Sequence, residues 1–337
     1  MKALFSPSVV YFGIPMGLLG TAMNGLHLQQ MLFIDTQMIN WLIWYGWAVF
    51  ILVSIGFLTG LFTKHKTNLH REWLNHFQIS LFPSITLTAL LVIVTLVNTL
   101  ALPELVVNAL MVVYFLIVAI HTLLNIYLIN RWIFSPSVPI EHHKPTWFIL
   151  LSGNFVVVIS GLSLIEPFAI QHWLIWSELL WLYFSGGLLL WFSFAVSLFY
   201  RLIFESNIEI ALRPSLFIFL APPSLATVAS ILLLHPELIL QPGLEVAVPA
   251  LTWFLFSFAS FMLVIWFLSI RYFIDSGLSV ASWAYVYPLA AYGMAMQYIA
   301  QANNSELFMS ISVGIFLIIL FLITLLTIRS LLDSIKS

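Results

Sequence analysis

Cysteine is missing from all 337 residues, so disulfides and thiolate metal sites are excluded. Charge is nearly as scarce. Only 7% of the residues are charged and 62% are hydrophobic, with a mean hydropathy of +1.08, and a soluble fold of this length has too little interior to hide that apolar surface. The strict polar/apolar alternation of an outer-membrane barrel is also missing. In its place stand apolar runs of roughly 20 residues or more, enough for α-helices to cross a hydrocarbon core about 30 Å thick. No small-residue cleavage motif follows the first run, which reads as a retained helix. Phosphate-binding glycine loops, serine triads, HExxH and nucleic-acid patches do not occur. An enzyme, a cofactor, a metal and a nucleic-acid partner are therefore not expected.

What is present is an all-α integral membrane protein, read as a single transmembrane domain over 1–337. Cutting at polar and turn-forming segments gives ten spans: 7–28, 40–62, 76–98, 105–130, 146–165, 173–200, 213–234, 247–270, 278–300 and 306–328. All eleven basic residues, Lys2, Lys64, Lys66, Arg71, Arg131, Lys144, Arg201, Arg213, Arg271, Arg329 and Lys336, then fall at the two ends or in alternate connections. The other connections carry Asp35, Glu104, Glu166, Glu237, Glu245 and Glu306 without a cation. The positive-inside rule puts both termini in the cytoplasm of a cell membrane, here of the bacterial inner-membrane type.

Helix breakers recur with a period. Pro15, Pro83, Asn154 with its neighbour Gly153, Pro222 (followed by Pro223) and Pro288 stand 68, 71, 68 and 66 residues apart, on spans one, three, five, seven and nine. The even spans have no proline in their apolar interiors. This is the signature of five quasi-repeated helical hairpins, each with one broken and one regular helix. Backbone freed by a break is tolerated in a membrane where it is buried in protein or lines a cavity. The expectation is an inner ring of five kinked helices forming a central pore, inside an outer ring of five.

The stretches YFGIPMGLLG (11–20), LFPSIT (81–86), SGNF (152–155), ALRPSLFIFLAPPSLA (211–226) and SWAYVYPLAAYG (282–293) resemble, in order and spacing, the motifs of the TehA and slow-anion-channel family, also called the tellurite-resistance/dicarboxylate transporter family. The resemblance covers nearly the whole chain. It implies a homotrimer in which each subunit is a complete anion pore of five inner and five outer helices. It also implies an aromatic gate: in that family a phenylalanine in a W-A-aromatic-x-Phe pattern plugs the pore, and matching Trp283, Ala284 and Tyr285 puts Tyr287 at the plug position.

The inner spans expected to line the pore offer Ser80, Thr86, Asn154, Phe155, Ser160 and backbone, without a charged residue in their central parts. Passage through such a tube favours small inorganic anions that lose water easily: nitrate and bromide ahead of chloride, and chloride far ahead of sulfate. Arg71, Arg213 and Arg271 are placed at the cytoplasmic mouth, where they raise the local anion concentration. The leading function is a gated passive channel for monovalent anions such as chloride and nitrate. The alternative is a secondary transporter or exporter of dicarboxylate, sulfite or a related oxyanion. His121 and Asn125 on span four read as an interhelical hydrogen-bonding pair, His142 and His143 as a solvated pair in a connection, and His27 as unremarkable. The tryptophans near span ends, Trp132 and Trp147 among them, read as interfacial belts facing the lipid bilayer.

Overall fold

Proline removes a backbone N–H, and the first turn of an α-helix is where that group has no intrahelical partner to lose. The chain uses this four times. The computed structural model describes residues 8–32, 37–63, 65–75, 77–134, 139–164, 173–205, 207–240 and 244–336, and Lys2, Asp35, Lys64 and Glu166 of the charge pattern lie outside them. In chain order the helices are α1 (Gly13–Leu32), α2 (Gln37–Phe62), α3 (Lys66–Leu74), α4 (Pro83–Thr99), α5 (Glu104–Phe134), α6 (Trp147–Ser163), α7 (Trp173–Phe204), α8 (Ala221–Leu234), α9 (Glu237–Leu240), α10 (Ala250–Leu268), α11 (Ile270–Ile274), α12 (Val286–Ala302) and α13 (Glu306–Lys336).

The periodic prolines mark helix starts. The 3-10 segments Val9–Phe12, Gln78–Leu81, Ile210–Leu220 and Val280–Tyr285 run into α1, α4, α8 and α12, and Pro15, Pro83, Pro222 with Pro223, and Pro288 all sit in the first turns of those helices. Side chains cap two of the 3-10 segments. Ser279 and Ser282 form a capping box before α12, and Glu72 Oε2 accepts from the Val9 N–H at 3.1 Å, where a carboxylate also meets the positive end of the helix dipole. α6 differs from the other four, since it runs as uninterrupted α-helix through Gly153 and Asn154. Asn154 therefore marks the period without marking a break.

Among the described residues, eight helical segments are long and apolar enough to cross a membrane: Val9–Leu32, Gln37–Phe62, Gln78–Thr99, Glu104–Phe134, Trp176–Phe204, Ile210–Leu234, Ala250–Leu268 and Glu306–Leu332. The chain is thus a multi-pass, all-helical membrane protein, with no strand among the described residues. Of the other two expected spans, α6 is apolar but only 17 residues long, and Val280–Ala302, which carries α12, is long enough but less apolar than the eight. Burial divides the helices sharply. The segments starting at Val9, Gln78 and Ile210 bury 72%, 78% and 100% of their most apolar stretch, whereas the other five bury between 22% and 33%. α6 and α12 belong with the buried set, α12 along its whole length.

The buried helices pack on one another in a closed circuit: α1 on α4, α4 on α6, α6 on α8, α8 on α12, and α12 back on α1. α2, α5, α7, α10 and α13 pack against α1, α4, α6, α8 and α12 respectively. Where α1 meets α12, the Asn24 amide donates to the Ala290 carbonyl at 2.9 Å and the Gln297 amide donates to Asn24 Oδ1 at 2.7 Å. A β-carbon on Gly293 would stand 2.4 Å from that Asn24 nitrogen. Glycine is what allows this approach.

Two expectations need correction. His143 is buried, with its Nε2 3.1 Å from the Phe194 carbonyl, so it is a packed residue and not one of a solvated pair; the His142 side chain lies outside the described residues. Trp132 and Trp147 stack on each other with ring centroids 3.9 Å apart, and both are buried inside the protein. The connection from α2 to α4 also holds a helix, α3, which brings Glu72 beneath α1.

Candidate functional site

A run of three cavities follows the axis of the buried circuit. The first, about 150 Å³, lies at the N-terminal ends of the buried helices and takes lining from Gly13, Leu87, Thr146, Ser152, Ala221 and Trp283 among others. The second, about 30 Å³, lies further along between residues such as Met23, Val94, Ser160 and Leu225. The third, about 40 Å³, sits toward the C-terminal ends and includes His27, Gln30, Asn98, Ser163 and Tyr298. Each draws on α1, α4, α6, α8 and α12 or the segments leading into them. Among the described residues no Lys, Arg, Asp or Glu lines any of the three.

Tyr287 is the residue common to the first and second cavities. It occupies the second position of α12, directly before Pro288, and its ring fills the room left by a missing side chain on α1. A β-carbon on Gly20 would stand 2.6 Å from Tyr287 Cδ2. The ring is buried and its hydroxyl has no hydrogen-bond partner among the described residues. Leaving such a group unpaired costs about 1–3 kcal/mol. The second and third cavities share Met23, Ile159 and Met294 and no comparable single ring.

The other sequence-derived candidates divide. Pro288 lines the first cavity, while Pro15, Pro83 and Pro222 are buried helix-start residues that line none of the three. Ser80, Thr86, Asn154 and Phe155 do not line them either. Ser80 Oγ donates to Thr146 Oγ1 at 2.7 Å and is thereby occupied in joining the start of α4 to that of α6. Thr86 Oγ1 lies 2.9 Å from His121 Nδ1, which makes His121 a bridge from α5 to α4. Asn154 Nδ2 reaches Asn125 Oδ1 at 3.5 Å, and Asn154 borders a groove between α5 and α7. Phe155 packs edge-on against Phe184 of α7.

Residues two apart on an α-helix point about 200° apart, so Ser152 faces the axis if Asn154 faces out. Ser152 Oγ and Trp283 Nε1, both on the first cavity, are buried and without partners among the described residues. The sequence marks both inside quoted motifs, yet only the register of α6 and the turn before α12 shows which way they look. His27 is a further residue missed by sequence reasoning. It is buried on the third cavity, its ring centroid 4.1 Å from that of Tyr298, and its Nδ1 has no partner among the described residues.

The cationic candidates lie off the cavities. Arg213 donates from Nη1 to the Tyr272 carbonyl at 3.1 Å, stands over the Tyr272 ring at 4.0 Å and lies 3.9 Å from Asp275 Oδ2. Arg71 and Arg271 are exposed. Lys144 is placed over the ring of Phe77, 5.1 Å from its centroid, and Phe77 lines the first cavity.

A closed circuit of buried helices around uncharged axial cavities suits a small solute passing through the protein. The family model described as SLAC1, voltage-dependent anion channel, matches residues 6–331. The chain belongs to the SLAC1 family. No curated protein matches it. The SLAC1 family is one of anion channels and transporters, and the match spans every element that borders the three cavities.

Proposed function

We propose that the protein is a gated passive channel for small monovalent anions, chloride and nitrate among them, with Tyr287 as the gate. The observation that carries this reading is the position of the Tyr287 ring at the one boundary where the first two axial cavities meet. In this reading ten helices cross the membrane as five hairpins, with α6 and α12 completing the set through the turns that precede them. The circuit α1–α4–α6–α8–α12 encloses the pore. The whole chain is one transmembrane domain, its termini are cytoplasmic, and three subunits assemble with a pore in each.

The chemistry of the cavity walls supports passive selection over a carrier. A carrier of a divalent substrate wants a fixed cation or a titratable group near the midplane. The second cavity has no Lys, Arg, His, Asp or Glu among its described lining residues. Uncharged walls leave dehydration cost as the sorting principle, so weakly hydrated monovalent anions pass most easily. The decisive experiment is a set of reversal potentials for the purified protein in planar bilayers under opposed salt gradients. Nitrate and bromide ahead of chloride, with sulfate and sodium nearly excluded, is expected. Concentrative, proton-dependent uptake of a dicarboxylate without unitary currents would replace the channel by the transporter.

A further inference from the structure

We propose that the first cavity is an anion-binding site whose ligands are three uncharged donors: Ser152 Oγ, Trp283 Nε1 and the Tyr287 hydroxyl. The channel reading supplies the identity of the ligand, a weakly hydrated monovalent anion. The site itself stands on its geometry. Buried polar atoms in proteins are nearly always paired, yet three residues that line this one cavity, each no more than 4% exposed, carry a buried polar atom without a partner among the described residues.

All three can donate a hydrogen bond, and the indole can do nothing else. No carboxylate lines the cavity. The first turns of α1, α6 and α12 contribute Gly13, Ile149 and Pro288 to the same wall. At about 150 Å³ the space exceeds the roughly 30 Å³ share of one water, which leaves room for a nitrate or halide with little of its hydration shell. The donors return part of the dehydration cost, and the apolar remainder of the wall returns nothing to an ion that keeps its water. The site therefore discriminates against sulfate.

On this account Tyr287 has two separable parts. The ring obstructs the axis, and the hydroxyl binds the ion waiting beside it. Bromide-soaked crystals of the wild type should show an anomalous peak within hydrogen-bond distance of the three donors. Nitrate binding to detergent-solubilised protein, followed as thermal stabilisation against a sulfate control, should weaken roughly tenfold in each of Tyr287→Phe and Ser152→Ala, the scale of one lost hydrogen bond to a charged group. Both variants remove a single oxygen, so retained folding is checked directly by their thermal midpoints without nitrate. Bromide elsewhere in the pore but not in this cavity, or unchanged nitrate stabilisation in both folded variants, overturns the site. Binding as described without any anion current in Tyr287→Ala leaves the site standing and removes the channel.

Discussion

Gly20 on α1 and Tyr287 on α12 fit as socket and ring: a β-carbon at Gly20 would lie 2.6 Å from Cδ2 and 3.0 Å from Cε2 of the tyrosine. Gly20→Ala must displace the ring. Overpacking of this kind costs about 1–3 kcal/mol, and a displaced ring no longer seals the boundary between the first two cavities. The variant should therefore melt earlier and leak anions. Adding Tyr287→Ala should remove the extra cost, so that the double variant is no less stable than Tyr287→Ala alone. Additive thermal shifts in this cycle would show that the two residues do not touch.

Gly153 has the same relation to His121. An added β-carbon would stand 2.1 Å from His121 Cε1, and the imidazole is held in place by Thr86. Gly153→Ala should break the Thr86–His121 bond and destabilise the protein by several kcal/mol, on the order of the larger single-residue effects. His121→Ala in the same chain should recover part of the loss. Thermal unfolding of the single and double variants measures it.

Burial pushes His143 down to about 4, against a smaller opposing effect of its Phe194 hydrogen bond and a further lowering by nearby Arg201. The folded protein thus binds this proton less readily than the unfolded chain, whose histidine titrates near 6.5. Its contribution is complete above pH 6.5 and is lost as the pH falls toward 4, by up to about 3 kcal/mol. Thermal midpoints should decline over that window in the wild type and decline less in His143→Gln.

Arg71 and Arg271 are exposed, and Arg213 is tied to Tyr272. Neutralising Arg71 or Arg271 should change single-channel conductance by less than about twofold at 0.15 M salt and by more at 0.01 M, where the Debye length grows to about 30 Å. A large effect that persists at high salt would mean that the side chain binds the ion directly.

The membrane class and most helix positions were legible in the sequence because they depend on long apolar runs and on where proline is tolerated. Facing was harder to read. Asn154 was the natural choice on span five because an amide in an apolar run asks for a partner, and it finds one in Asn125 on an outer helix; Ser152, which looks less unusual, faces the axis. Thr86 and Ser80 stand on spans expected to line the pore, yet their hydroxyls are used between helices. His143 reads as polar connection sequence, and only tertiary packing against Trp147 and Phe194 buries it. Pro15, Pro83, Pro222 and Pro288 announced irregular backbone without saying that it precedes the helix.

The most direct test of the central claim is the conductance of wild type, Tyr287→Phe and Tyr287→Ala in planar bilayers with symmetric chloride. The account predicts small currents for the first two, because both keep a ring between the cavities, and a rise of an order of magnitude or more for Tyr287→Ala. Equal currents in all three correctly assembled proteins would contradict it.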